Sequence, residues 1–292
     1  MIRDHKSSRS YLNSFNRHFR KDWEQIGRVS INSISGLLGM ALLLVPVAAL
    51  PANGECAIAS GEHTVTLLEL FTSEGCSSCP PADRWLSGLR SSSSNSGRVV
   101  PLALHVDYWD SIGWKDAFAK PDFALRQRKL AERGRQSMVY TPQVFVQGAA
   151  YDHPVDTTAF NALLGSTYRQ APKADLALSL GAVSEGKLAV KVTAALRNTV
   201  AHTAAGLYVA LYENDLVTQV KAGENRGSTL RHDFVVREWI GPSRLTDKGR
   251  TEVAVLVPTP SGRSIGNLGV AVFVQDLRTQ EVLQALARPL CL

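Results

Sequence analysis

The sequence lacks the features that mark several classes of protein. After the first 52 residues, no stretch gathers Lys and Arg into a run with interleaved aromatic residues. Those first 52 residues hold seven Lys or Arg and three acids, so the formal net charge of +6 belongs mainly to a leader. A nucleic-acid partner is therefore not indicated. With 45% hydrophobic and 20% charged residues, the composition is globular rather than disordered or collagen-like.

The leader has no apolar run long enough for an ordinary membrane span. Leu37–Leu50 is an apolar run of 14 residues, whereas a transmembrane helix needs about 20. Basic residues precede this run and small residues follow it at Leu50-Pro51-Ala52. This order is typical of a cleaved secretory signal. We therefore expect residues 1–52 to be a signal peptide, the mature protein to be periplasmic or secreted, and membrane contact to occur only through this signal. A retained anchor and a buried core helix are the alternatives.

Cysteine is scarce, with only four residues in the chain: Cys56, Cys76, Cys79 and Cys291. In an oxidising compartment an even count favours disulfides. Cys76 and Cys79 are local partners, which leaves Cys56 and Cys291 near the two ends of the mature chain. We expect these two to pair, the alternative being two free thiols. No second Cys-x-x-Cys is present, so a closed zinc site is not expected, and no metal is assigned.

Two patterns of secondary structure follow the leader. From residue 53 to 171, predicted strands at 65–71, 99–106 and 139–147 alternate with predicted helices at 82–89, 122–133 and 156–168, which is an α/β order. From residue 172 to 292, short strands are separated by turn signals, as in an antiparallel sandwich. The patterns predict an α/β domain followed by an all-β sandwich-like domain.

Cys76 and Cys79 stand between a predicted buried strand and a predicted helix. The amino end of a helix carries unpaired N–H groups and a partial positive charge, which stabilise a thiolate. Two intervening residues bring the second sulfur within disulfide reach. We expect Cys76 to attack a partner disulfide and Cys79 to resolve the mixed disulfide. A structural disulfide is the alternative.

Several other side chains are candidates for the same site. Proline is not accommodated within a central strand, so Thr141-Pro142, just before an apolar segment, indicates a cis peptide beside a site, where Pro142 would align a substrate chain. Glu69 is a candidate buried proton acceptor. At the carboxyl end of the second strand, further candidates line a substrate groove, or fill the space between two domains: His105, Asp107, Trp109 and Trp114. Thr141 is also a candidate for the groove. His105 has the alternative role of a core histidine.

At these residues the chain resembles the thioredoxin-like superfamily and, more narrowly, a secreted bacterial family catalogued as domain-of-unknown-function family 1223. The matching segments are Phe71–Asp83, His105–Asp110, Tyr140–Gln143, Gly223–Asn225 and His232–Arg237. The resemblance implies a thioredoxin-like fold with a β-rich extension, and a redox role.

Together these observations predict an exported thiol–disulfide oxidoreductase that acts on a protein or small-molecule thiol or disulfide, without a cofactor. Whether the protein is an enzyme stays open. One alternative is a non-catalytic envelope binding protein with a structural disulfide. Another is a copper-binding or delivery protein, with His105 or His153 as extra ligands. The substrate, the direction of the redox reaction and the oligomeric state do not follow from the sequence.

Overall fold

The structure, a computed structural model, describes residues 56–91, 97–152 and 156–291. The predicted signal peptide and His153 lie outside these ranges. Within them, no helix combines the length and the apolar character that crossing a membrane requires.

The first part of the described chain contains three helices and five strands. The strands are β1 (Cys56–Ala59), β2 (Thr66–Thr72), β3 (Val99–His105), β4 (Gln143–Val146) and β5 (Ala149–Ala150), and the helices are α1 (Pro80–Ser91), α2 (Pro121–Arg133) and α3 (Thr157–Tyr168). The Asp156 carboxylate accepts a hydrogen bond from the Ala159 amide and so caps α3, as expected for an aspartate at this position. Pro80 and Pro81 are tolerated because they occupy the first turn of α1, where amide groups have no partner within the helix.

The second part consists of strands. They are β6 (Ala174–Ser184), β7 (Lys187–Leu196), β8 (Ala205–Glu213), β9 (Leu216–Gln219), β10 (Thr229–His232), β11 (Val235–Arg244), β12 (Arg250–Pro258), β13 (Leu268–Asp276) and β14 (Val282–Pro289). In β6 and β7 buried and exposed residues alternate, which is the pattern of strands with one face on a core and one in solvent.

One mixed sheet of eight strands runs through both parts, in the order β14-β13-β8-β11-β3-β2-β4-β5. The junction is made by β3 and β11, which pair in parallel with Ala103 opposite Val235. There the Ala103 amide donates to the carbonyl oxygen of Phe234 at 2.9 Å. The expected boundary at residue 171 falls between α3 and β6, and strands from both sides of it share this sheet.

The expectation of an α/β thioredoxin-like domain followed by an all-β sandwich-like domain is therefore wrong. The chain is predominantly β, with large sheets and few helices among the described residues. The physical reason is that β3 would be left with unpaired backbone groups at the edge of a separate α/β sheet. β11 pairs with that edge, and it joins the strands of the first part to those of the second.

A second sheet of four strands has the order β1-β6-β7-β12. Its buried face packs against β8, β13 and β14 around a core that includes Leu178, Val192, Leu207 and Val272. Another core lies beneath the helices and the middle of the large sheet, where β2 is buried along its whole length. β9 and β10 form a separate two-stranded hairpin.

Candidate functional site

Cys76 and Cys79 form a disulfide in the turn that joins β2 to α1, with their Cα atoms 5.5 Å apart. The turn is held by its own backbone: the Cys76 amide donates to the Ser73 carbonyl oxygen, and the Cys79 amide to that of Cys76. Both cysteines are fully buried, whereas Ser77 and Ser78 between them are exposed. The rim of the site is thus formed by the two serines, with the sulfur atoms beneath it.

Thr141 and Pro142 lie beside this disulfide. The Sγ atom of Cys76 is 3.7 Å from the Thr141 carbonyl oxygen, which also accepts a hydrogen bond from the Ser78 hydroxyl. The Thr141–Pro142 peptide is cis, and β4 begins at the next residue. The structure therefore brings together the cysteine pair and the proline segment that the sequence singled out.

The tryptophan-containing loop between β3 and α2 contacts the same turn from another side. Nε1 of Trp109 donates to the Thr141 hydroxyl at 2.8 Å, and Nε1 of Trp114 donates to the Glu74 carboxylate at 2.8 Å. A Cβ atom at Gly75 would lie 3.1 Å from the Cβ of Trp109, so a side chain before Cys76 would require Trp109 to shift slightly. Both tryptophans therefore support residues next to the disulfide.

Asp107 and Glu69 have other positions. Asp107 belongs to the turn after β3, where its carbonyl oxygen accepts from the Asp110 amide. Glu69 is buried in β2, and its carboxylate binds the Arg126 guanidinium of α2 through Nε and Nη2. That guanidinium also lies over the ring of Trp239, 4.8 Å from its centroid. The carboxylate of Glu69, a candidate proton acceptor from the sequence, is thus engaged in an ion pair with α2.

Five ionisable side chains are buried behind the disulfide, and we call them the acid–histidine cluster. Each is at most 5% exposed: Glu74, Asp83, His105, Asp116 and His232. They come from four separate parts of the chain, namely the cysteine turn with the helix that follows it, β3, the tryptophan-containing loop and β10. Buried ionisable groups are costly unless they are paired, and groups with shifted pKa values are concentrated at functional sites as well as in structural ion-pair networks.

The side chains of the acid–histidine cluster lie close to one another. Nδ1 of His105 is 2.6 Å from an Asp116 carboxylate oxygen, and the rings of His105 and His232 are 5.0 Å apart. Nε2 of His232 lies 3.4 Å from Oε1 of Glu74, and Nδ1 lies 3.9 Å from Oδ2 of Asp83. His232 thus stands between the two acids that flank the cysteine pair in sequence.

The surroundings of Asp83 and Asp116 shift the pKa values of these two acids in opposite directions. Burial raises the pKa of Asp83, more than the nearby His232 and His105 and the hydrogen bond from Thr72 can lower it. For Asp116, burial is outweighed by His105 and by the amides of Glu74 and Phe118, and the pKa falls to about 2. Asp83 is therefore suited to hold a proton, while Asp116 stays ionised.

Asp116 in turn raises the pKa of His105, against the effect of burial. The Asp116 carboxylate, 2.6 Å from Nδ1 of His105, thus favours the protonated form of this histidine. His105, predicted either as a groove residue or as a core histidine, is fully buried in this pair.

The hairpin of β9 and β10 covers the cysteine turn. The side-chain amide of Asn225 donates to the carbonyl oxygens of Glu74 and Cys76, each at 2.9 Å. A Glu224 carboxylate oxygen accepts from the Ser77 amide at 3.0 Å. The sequence pattern at these two residues indicates only a turn. The signal that could have found them is their place in one of the family-like segments.

Cys56 and Cys291 form the second disulfide, with Cα atoms 5.9 Å apart. Cys56 lies in β1 of the four-stranded sheet, and Cys291 follows β14 of the large sheet. The bond thus connects the two sheets, and neither cysteine takes part in the candidate site. Among the described residues, no group of three or more His, Cys, Asp or Glu side chains is placed to hold a metal ion.

The sequence was also compared with known proteins. The model of one family matches residues 67–275, which include the cysteine turn, the tryptophan-containing loop and the hairpin. The chain belongs to DUF1223. This family is described as proteins of unknown function. No curated protein matches the chain.

Solved structures resemble this DUF1223 member in fold. A structural-genomics crystal structure of a protein from Agrobacterium tumefaciens is 24% identical, covers 78% of this chain and 95% of its own, and has a TM-score of 0.57. The protein HBP35 of Porphyromonas gingivalis is 15% identical, with coverage of 79% and 76% and a TM-score of 0.60. These likenesses concern the fold alone.

Proposed function

We propose that this DUF1223 protein exchanges thiols and disulfides through Cys76 and Cys79. The observation that carries the proposal is the position of Asp83. It follows Cys79 by one helical turn, its amide donates to the Cys79 carbonyl oxygen, and its carboxyl belongs to the acid–histidine cluster. Residues four apart on a helix lie on the same face. We therefore propose Asp83 as the proton acceptor of the cysteine that resolves the mixed disulfide.

The proposed reaction begins with the reduced pair. The Cys76 thiolate attacks a partner disulfide R–S–S–R′, forms a Cys76–S–S–R mixed disulfide and releases R′S⁻, which takes a proton from water. Cys79 then attacks Cys76 Sγ while its thiol proton passes to the Asp83 carboxylate. The second thiolate, RS⁻, leaves and receives that proton. Two electrons have passed to the partner, and the Cys76–Cys79 disulfide is formed.

Access to the sulfur atoms is the step that the surrounding residues control. Cys76 is fully buried in the disulfide form, so a partner reaches it only after neighbouring groups move apart. Those groups are the Thr141 carbonyl and the Asn225 amide, which contact the Cys76 side chain and backbone respectively. We propose the exposed Ser77 and Ser78, with the partly exposed Trp109 and Pro142, as the surface that a partner chain meets first, and Thr141 as the residue beneath it.

A structural disulfide in a non-catalytic envelope binding protein is the second candidate, and the burial of both sulfur atoms favours it. In either case we propose export, on the basis of the leader and of two disulfides that need an oxidising compartment.

The test is to trap a partner. A Cys79→Ser variant leaves Cys76 in the mixed disulfide, and a Cys76→Ser variant is the matched control. Exchange predicts that covalent complexes form with Cys79→Ser and are released by reductant. A reduction potential well below about −300 mV, typical of structural bridges, together with no trapped complex would show that the disulfide is structural.

A further inference from the structure

The hairpin of β9 and β10 places a fixed loop, residues 220–228, over the cysteine turn. The loop is closed by two backbone hydrogen bonds between Val220 and the pair Gly227 and Ser228. It packs closely against the tryptophan-containing loop, since a Cβ atom at Gly223 would lie 3.0 Å from the Cβ of Trp114. Gly223 also has a φ of +72°, which favours glycine. These contacts of the loop therefore fix the position of the next residue, Glu224.

Asn225 anchors this loop to the cysteine turn. It is 8% exposed, and its side-chain nitrogen donates to two backbone carbonyl oxygens, those of Glu74 and Cys76. An asparagine amide has two N–H groups, so both are used. The contact holds Glu224 beside the first residue after Cys76.

Glu224 adds a negative charge at that point. Its carboxylate accepts a hydrogen bond from the Ser77 amide at 3.0 Å, and both residues are exposed. Hydrogen bonds from Ser77 lower the pKa of Glu224, which keeps the carboxyl ionised.

A thiolate at Cys76 is stabilised by hydrogen bonds from backbone amides at the amino end of α1. Several of the amides there already have acceptors or are absent. The Cys76 and Cys79 amides donate to the carbonyl oxygens of Ser73 and Cys76. Pro80 and Pro81 have no N–H group. The Ser77 amide is bound to Glu224. The stabilisation that a helix amino end ordinarily provides to a thiolate is therefore opposed here by a carboxylate.

We propose that Glu224 is a positioning residue that favours the disulfide over the dithiol form of Cys76 and Cys79, by holding a negative charge on the Ser77 amide, next to the residue that would become a thiolate. This inference rests on the proposed thiol–disulfide exchange and gives a physical reason for the direction in which that reaction is written. The reduced pair gives two electrons to a disulfide substrate, which becomes two thiols, and a dithiol donor restores the pair. The substrate class is thus a disulfide that is to be reduced.

The experiment compares Glu224→Gln with Glu185→Gln. The first variant removes the charge and keeps an oxygen acceptor for Ser77, and the second removes an exposed charge at the turn between β6 and β7. Each protein is equilibrated with reduced and oxidised glutathione at pH 9, where thiols ionise. The pKa of Cys76 is measured by thiolate absorbance in a reduced Cys79→Ser background.

We expect Glu224→Gln to shift the equilibrium toward the dithiol by about threefold to tenfold, as for the loss of one nearby exposed charge. The pKa of Cys76 should fall, while Glu185→Gln matches the parent protein. An unchanged equilibrium and pKa in Glu224→Gln, or an equal change in Glu185→Gln, would overturn the inference. A shift without any partner trapped by Cys79→Ser would contradict exchange as the function and leave the role of Glu224 in place.

Discussion

The Asp83 amide donates to the Cys79 carbonyl oxygen at 3.1 Å, so that Cys79 and a buried carboxyl stand one helical turn apart. The Asp83 carboxyl accepts a hydrogen bond from the Thr72 hydroxyl at 2.8 Å, at the end of β2. Both ends of the cysteine turn are therefore linked to the same acid.

This relationship predicts the effect of Asp83→Asn. The amide has nearly the same shape but accepts no proton, so attack by Cys79 on the mixed disulfide should slow by about 100-fold, the scale of general-base catalysis. The measurement is the lifetime of a mixed disulfide between Cys76 and a small thiol, followed against pH. Because burial raises the pKa of Asp83, the parent rate should rise with pH through that pKa. The variant should lose that rise, and a matching rise in Asp83→Asn would contradict the role of this acid. Asp122→Asn on the exposed side of α2 is the control.

The His105–Asp116 ion pair predicts how stability depends on pH. Asp116 has its pKa lowered from 3.8 to about 2, so its contribution is present above pH 3.8 and is lost as the pH falls through 2. The contribution is about 2 kcal/mol. His105 has a raised pKa, so its contribution is present below 6.5 and is lost as the pH rises through the folded-state value.

Urea unfolding of the parent protein and of Asp116→Asn between pH 2 and pH 8 tests this prediction. We expect the variant to lack the part of the acid destabilisation that comes from this carboxyl. If the free energy of unfolding falls equally steeply in the two proteins between pH 4 and pH 2, Asp116 does not cause the acid destabilisation.

The Glu69–Arg126 ion pair should contribute to stability rather than to exchange. Arg126→Leu leaves the Glu69 carboxylate buried without its partner, which should lower the free energy of unfolding by about 3–5 kcal/mol. Arg128→Leu changes an exposed arginine of the same helix and should have little effect. Denaturant unfolding measures the free energy of unfolding of the parent protein and of both variants. The equilibrium of the cysteine pair with glutathione should be the same in all three.

Removal of the Cys56–Cys291 disulfide should lower the stability of the protein without preventing thiol–disulfide exchange. This bond closes a loop of 235 residues, and its loss should destabilise the protein by about 5 kcal/mol through the entropy of the unfolded chain. A Cys56→Ser, Cys291→Ser double variant should therefore melt at a lower temperature. Below that temperature it should still trap partners when Cys79 is also replaced. Loss of trapping in a folded double variant would place these cysteines in the reaction.

Local sequence predicted the parts of the site that depend on neighbouring residues. Spacing alone brings Cys76 and Cys79 within reach of each other, and Thr141–Pro142 has the cis peptide that a proline before a strand indicated. The buried position of Glu69 in a strand made it a candidate proton acceptor. The structure gives another reason for a buried carboxylate there, since it pairs with Arg126. Periodicity located the apolar strands but did not give their partners.

The tertiary structure alone decided which distant segments meet. Pairing of β3 with β11 made one large sheet where the sequence indicated two domains, because alternating apolar residues specify which face of a strand is buried and not which strand lies beside it. The same long-range pairing brings His232, Glu224 and Asn225 to a cysteine turn far away in the chain. The sequence by itself thus determined which two cysteines pair at the candidate site, and the fold decided which charged side chains surround them, since these depend on contacts between segments that share no local pattern.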